Sequence, residues 1–211
     1  MFHAPYPKKE KGITLIEIIV VIFITALFSM IAVADFPRIQ SQYALSKATY
    51  KLEQDIRKAE DLALSGVQAK GANGSLISVK GYGVYFNPGG DNNTQSTTKY
   101  VIYADVNGNQ KYDGNFLSSL CSSLPASPPV TSDCAMEIID ISQENPNLYI
   151  KSVSNIIGAY TSVNFSPPIP TTKIDNIISI NSPIGIVLGL KNDSSTTRTV
   201  QVNASGLINV Q

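Results

Sequence analysis

Apolar and polar positions divide this chain into three regimes. From Ile13 to Ala34 nearly every position is apolar, interrupted only by Thr14, Glu17, Thr25 and Ser29. About 22 such residues make a helix long enough to cross a hydrocarbon core of about 30 Å. In "YALSKATYKLEQDIRKAEDLALSG" the apolar residues Leu45, Ala48, Leu52, Ile56, Ala59 and Ala63 recur at steps of three and four. That spacing predicts one helix face laid on other structure. Pro37 is expected to kink the helix or break it for about a turn, and Gly66 to end it. Lys51 with Asp55, and Arg57 with Asp61, are expected to pair four residues apart on solvated faces.

After Gly66 the period changes. Short β-rich runs such as "SLISVK", "GYGVYF", "KYVIYAD", "AMEIIDI", "IISIN", "IGIVLGL" and "RTVQVN" alternate with Gly, Pro, Asn and Ser clusters. "SPPIPTT" is expected to be a proline-rich connection. The fold class expected is α+β: a long N-terminal helix, its first half transmembrane, packed on an antiparallel β-sheet head. The expected divisions are 1–12, a basic leader; 13–35, the membrane segment; 36–66, the amphipathic continuation; and 67–211, the head.

Glu17 is the anomaly. A carboxylate inside a membrane costs about 2.5–3.5 kcal/mol on insertion scales and normally has a partner. The positions three and four away are Ile13, Thr14, Val20 and Val21, and none is basic. Lys8, Lys9 and Lys11 precede the apolar run and Asp35 follows it, which puts the N-terminus in the cytoplasm and the head outside. A secretory signal cut near Ala32-Val33-Ala34, or a plain signal anchor, would satisfy the apolar run and leave Glu17 unexplained. A cut after Gly12 would give Ile13 a positive amine within reach of Glu17 on an adjacent copy. Such a buried pair sets geometry more than it adds stability.

"KGITLIE" resembles the processing motif of type IV prepilins: a short basic leader, Gly, a hydrophobic residue, and Glu fifth in the mature chain. Ile13 stands where Phe is more usual. The resemblance implies cleavage between Gly12 and Ile13 by a prepilin peptidase, N-methylation of Ile13, and assembly with other pilin or pseudopilin subunits through Glu17. An assembly ATPase and a platform protein are implied as further partners. "YVIYADVNGNQKYDG" and the closing "RTVQVNASGLINV" also resemble H-type minor pseudopilins and the related FimT pilins. Some FimT proteins bind DNA through basic residues in the last hairpin. Leu207 and Asn209 stand at those positions, so DNA binding is not carried over.

Composition narrows the chemistry. Lys plus Arg and Asp plus Glu each number 16, so no global basic excess points to nucleic acid. Removing residues 1–12 leaves 13 basic and 15 acidic side chains. His3 is the only histidine, so multi-histidine metal sites and, once the leader is lost, Ser-His or Cys-His catalysis are excluded within one subunit. No enzyme activity and no required cofactor are expected. Ser96-Thr97-Thr98-Lys99 matches Ser-x-x-Lys but lacks the helix start and the Lys-Thr-Gly strand that such enzymes need.

Asp105, Asn107, Asn109 and Asp113 match positions 1, 3, 5 and 9 of a calcium loop, with Lys111 offering a carbonyl. Gln110 replaces the turn glycine and Phe116 the bidentate Glu. The same residues suit an Asx-rich turn with a corner at Asn107-Gly108. Cys121 and Cys134 bracket a proline-rich loop. A disulfide there would contribute roughly 3 kcal/mol in the chain-entropy model; two free thiols are the alternative. The function expected is a structural pilin-like subunit. The alternative is a membrane-anchored adhesin or calcium-dependent binding module that does not polymerise.

Overall fold

In a computed structural model of the chain, residues 12–89, 96–114, 120–124, 132–168 and 171–211 are described. The chain divides into two compact units, Met1–Gln40 and Ser41–Gln211. Helix α1 (Leu15–Ser65) contributes to both.

In the first unit the apolar side chains from Leu15 to Val33 are exposed on every side of the helix. It is the one segment among the described residues long and apolar enough to cross a membrane. Thr25 and Ser29 return their hydroxyls to the carbonyls of Ile22 and Thr25, so neither leaves an unsatisfied donor on the apolar surface. Of the two outcomes expected at Pro37, a kink or a break, the break does not occur, since α1 runs unbroken through it. Proline removes one N–H from the helix ladder.

The second unit holds the whole buried core. Leu45, Ala48, Leu52, Ile56, Ala59 and Ala63 are at most 2% exposed. This stripe packs with the inner faces of two sheets in one continuous cluster. Gly66 ends the helix in a left-handed conformation (φ 60°). A two-stranded ribbon follows, β1 (Ala69–Lys70) with β2 (Leu76–Ile77).

The larger sheet contains β3 (Gly81–Phe86), β4 (Lys99–Asp105), β5 (Cys134–Asp140), β7 (Thr161–Ser166) and β8 (Thr171–Ile174), in the order β5-β4-β3-β7-β8. The second contains β6 (Leu148–Ser154), β9 (Ile184–Leu190), β10 (Asp193–Val202) and β11 (Ile208–Val210), in the order β11-β10-β9-β6. Every pairing between these strands is antiparallel. Gly83 carries no side chain because a Cβ there would lie 2.4 Å from the Val163 carbonyl and 2.7 Å from the Tyr103 ring.

Three local expectations are corrected. "SLISVK" yields only the two residues of β2. "IISIN" is a loop, because Asn176 turns the chain left-handed (φ 57°) just ahead of it. The Thr171–Ile174 end of the proline-rich connection is strand β8, zipped to β7. The helix ion pairs also differ. Arg57 pairs with Glu53 at 2.8 Å, the favoured order with the acid N-terminal, and Asp55 accepts the Tyr100 hydroxyl at 2.6 Å.

Candidate functional site

The first candidate site is the start of α1. Gly12 is exposed and outside any regular element, with open space where a Cβ would stand, and Ile13 is exposed beside it. The helix begins two residues later, and Thr14 caps it. Its Oγ1 accepts the Glu17 N–H at 3.3 Å, and its carbonyl accepts from Glu17 and Ile18. Thr14 and Glu17 therefore stand at the two ends of a capping-box spacing, with the acid in the first turn where the helix dipole favours negative charge. Sequence reasoning missed this local role of Thr14, although Thr-x-x-Glu ahead of an apolar run was its signal. Glu17, Ile13, Ile18, Val21 and Ile22 line a shallow apolar groove of about 280 Å³.

The second candidate is the loop after β4. Asp105 is buried at the strand end. Its Oδ1 accepts Gly108 N–H at 2.6 Å, and its Oδ2 accepts Gln110 N–H at 2.9 Å and the Asn164 amide at 3.2 Å. Asn107 and Asn109 accept the N–H groups of Asn109 and Lys111, each at 2.9 Å. Their own amides both donate to Asp113 Oδ2, at 2.7 and 3.0 Å. Asn107 and Asn109 thus meet at Asp113, while Asp105 holds the backbone of the same loop.

Gln110 takes the left-handed conformation (φ 62°) at the sixth position, where a calcium loop uses glycine. The donors are hard oxygens, as calcium requires. As folded, those oxygens serve N–H groups, and no cluster of three or more acidic, histidine or cysteine side chains that could hold a metal occurs among the described residues. The fit is to a calcium-loop backbone rather than to a finished cage. Phe116, at the twelfth position, lies outside the described residues.

Asp133, the residue just ahead of β5, braces this loop, and sequence reasoning missed it. It is fully buried and accepts Val106 N–H at 3.0 Å and Asp113 N–H at 3.2 Å, while its own N–H goes to Asp113 Oδ1. Burial, with the charges of Asp113 and Asp105 adding to it, pushes its carboxyl up to about 7 against the backbone hydrogen bonds. Burial likewise raises Asp105. A disulfide joins Cys121 to Cys134, the residue after Asp133, so the loop is tied covalently at its far end.

Comparison with known proteins bears on the first site. Residues 7–33 match the family model described as the prokaryotic N-terminal methylation motif. The match spans Gly12, Ile13 and Glu17 and supports a type IV pilin-like, membrane-associated protein. No curated protein and no solved structure matches the chain.

Proposed function

We propose that this chain is a structural subunit of a type IV pilus or type II secretion pseudopilus, cut after Gly12 and N-methylated on Ile13. The observation that carries the reading is the N-terminal methylation motif over residues 7–33, leading into a helix whose apolar side chains from Leu15 to Val33 are exposed among the described residues. In the membrane lipid covers that half; in a filament the same half of neighbouring subunits would cover it. The amine on Ile13 would then pair with Glu17 of an adjacent copy across the groove at the helix start. A prepilin peptidase, an assembly ATPase and a platform protein are the implied partners, with the head extracytoplasmic. The minor H-type or FimT-like assignment rests on the closing β10–β11 hairpin, turned at Gly206 (φ 83°).

Intact-mass measurement of the membrane-extracted protein tests this. The expected mass lacks residues 1–12 and carries one added methyl. An unprocessed N-terminus would leave the non-polymerising anchored module as the reading.

Calcium at Asp105, Asn107, Asn109 and Asp113 is proposed only as a structural brace of the loop, supported by the spacing and by the left-handed Gln110. Chelator is expected to lower the melting temperature of the full chain above pH 7. Identical melting with and without chelator removes the metal and leaves an Asx turn.

A further inference from the structure

The chain contains two Asn-Gly steps, Asn73-Gly74 and Asn107-Gly108, and all four residues are exposed. An asparagine followed by glycine can react with itself. The glycine nitrogen closes a five-membered ring on the side-chain amide carbon, and glycine has no Cβ to obstruct the closure. The reaction is helped by a base for the N–H proton and by a donor to the carbonyl oxygen, which becomes negative. The Asn107 step has both. The Gly108 N–H donates to Asp105 Oδ1 at 2.6 Å. Asn107 Oδ1 accepts the Asn109 N–H at 2.9 Å. The Asn107 Nδ2 donates to Asp113 Oδ2 at 2.7 Å, which holds the carboxamide with its oxygen toward that N–H. Asp105 is itself fixed, because its Oδ2 accepts the Gln110 N–H and the Asn164 amide. Asn73 has the same sequence and exposure without the base. There the Gly74 N–H goes to the Gly71 carbonyl at 3.3 Å, and a peptide carbonyl is a far weaker base than a carboxylate.

We propose that Asn107 is a self-modification site: Asp105 activates the Gly108 nitrogen, and the Asn107 side chain passes through a succinimide to aspartate or isoaspartate. The Gly108 nitrogen bonds to Asn107 Cγ as its proton moves to Asp105 Oδ1. Negative charge gathers on Asn107 Oδ1, against the Asn109 N–H. The Cγ–Nδ2 bond then breaks, the proton held by Asp105 returns to the departing nitrogen directly or through water, and ammonia leaves. Solvent water opens the ring at either carbonyl. The product has a carboxylate where the amide donor stood, so the bond to Asp113 becomes a contact between like charges. Isoaspartate also lengthens the backbone by one atom. The loop after β4 therefore loosens as the chain ages. The proposal depends on neither filament entry nor calcium.

The test follows the full chain in detergent micelles at neutral pH, with chelator present so that no cation competes for the same oxygens. Samples taken over time are digested at acidic pH, which adds little conversion of its own. Mass spectrometry scores the succinimide and deamidated forms at Asn107 and at Asn73. In the folded chain Asn107 is expected to convert at least roughly tenfold faster than Asn73, within the reach of a positioned base. In denaturant the two rates converge. Asp105→Asn is expected to bring Asn107 down to the rate of Asn73 in the same sample. Equal or slower conversion of Asn107 in the folded chain, or an excess at Asn107 that survives denaturation, would overturn the proposal. So would an undiminished Asn107 rate in Asp105→Asn at unchanged melting temperature. If burial of Asp105 makes that variant melt lower, the comparison of folded with denatured wild-type chain still decides.

Discussion

The two halves of α1 share one backbone and obey different rules. From Leu15 to Val33 apolar side chains cover the whole circumference and all are exposed; from Ser41 to Ser65 one apolar stripe is buried and the remaining faces carry Lys, Glu, Asp and Arg. The second half has its partner within the chain: Tyr100 bonds Asp55, Lys58 bonds Glu137 at 2.6 Å, and Lys47 bonds Glu144 at 2.5 Å. Among the described residues the apolar side chains of the first half are exposed. A helix apolar all round calls for an apolar surrounding. The difference teaches that one helix can carry a stripe that stabilises the head and an apolar stretch that does not.

Substitution in each half gives the largest test of that separation. Ile56→Ala removes a fully buried side chain and should destabilise the head by about 2–5 kcal/mol, read as a lower melting temperature of the full chain in micelles. Ile24→Ala, the same chemistry in the first half, should leave the melting temperature unchanged. Equal losses would mean that the halves are not independent. Next, Glu17→Ala should insert in the membrane with normal head stability and fail to enter filaments, scored by sheared-filament yield. Normal yield would count against the pairing with Ile13.

A third contrast is confined to the head. Folding raises the carboxyls of Asp133, Asp105 and Asp55, chiefly by burial. Each therefore holds its proton more tightly folded than unfolded, and its contribution to stability is complete below the unfolded carboxyl range. That contribution is lost as pH rises, for Asp133 through about 7. Melting measured in chelator should fall from pH 4.5 to pH 7.5, and Asp133→Asn should flatten the slope. The smallest effect is expected at Arg57→Ala, which removes an exposed pair to Glu53 and should cost under about 0.5 kcal/mol.

What the sequence disclosed divides along a physical line. The buried stripe from Leu45 to Ala63, the stop at Gly66 and the long apolar run were legible because each is a local period or a backbone requirement. Asp55 looked like a partner for Lys51, and its bond to Tyr100 depends on tertiary packing that no spacing encodes. The role of Asp133 was hidden for the same reason, since the loop it braces begins 28 residues earlier. "IISIN" read as a strand by composition; the decision belonged to Asn176 and to a second loop elsewhere in the chain. Thr14 was legible, since Thr-x-x-Glu ahead of an apolar run is a helix-cap spacing.

The Thr14 cap lies downstream of the Gly12–Ile13 bond, so its anchoring bonds involve no atom that a cut there would remove. Proteolysis would leave the first turn fastened and the rod's starting point unmoved. Such a cut would leave the capped helix start as it is, take three lysines and one glutamate away with the leader, and give Ile13 a free amine. A switch of that kind requires no refolding, only a neighbour positioned to sense the new cation.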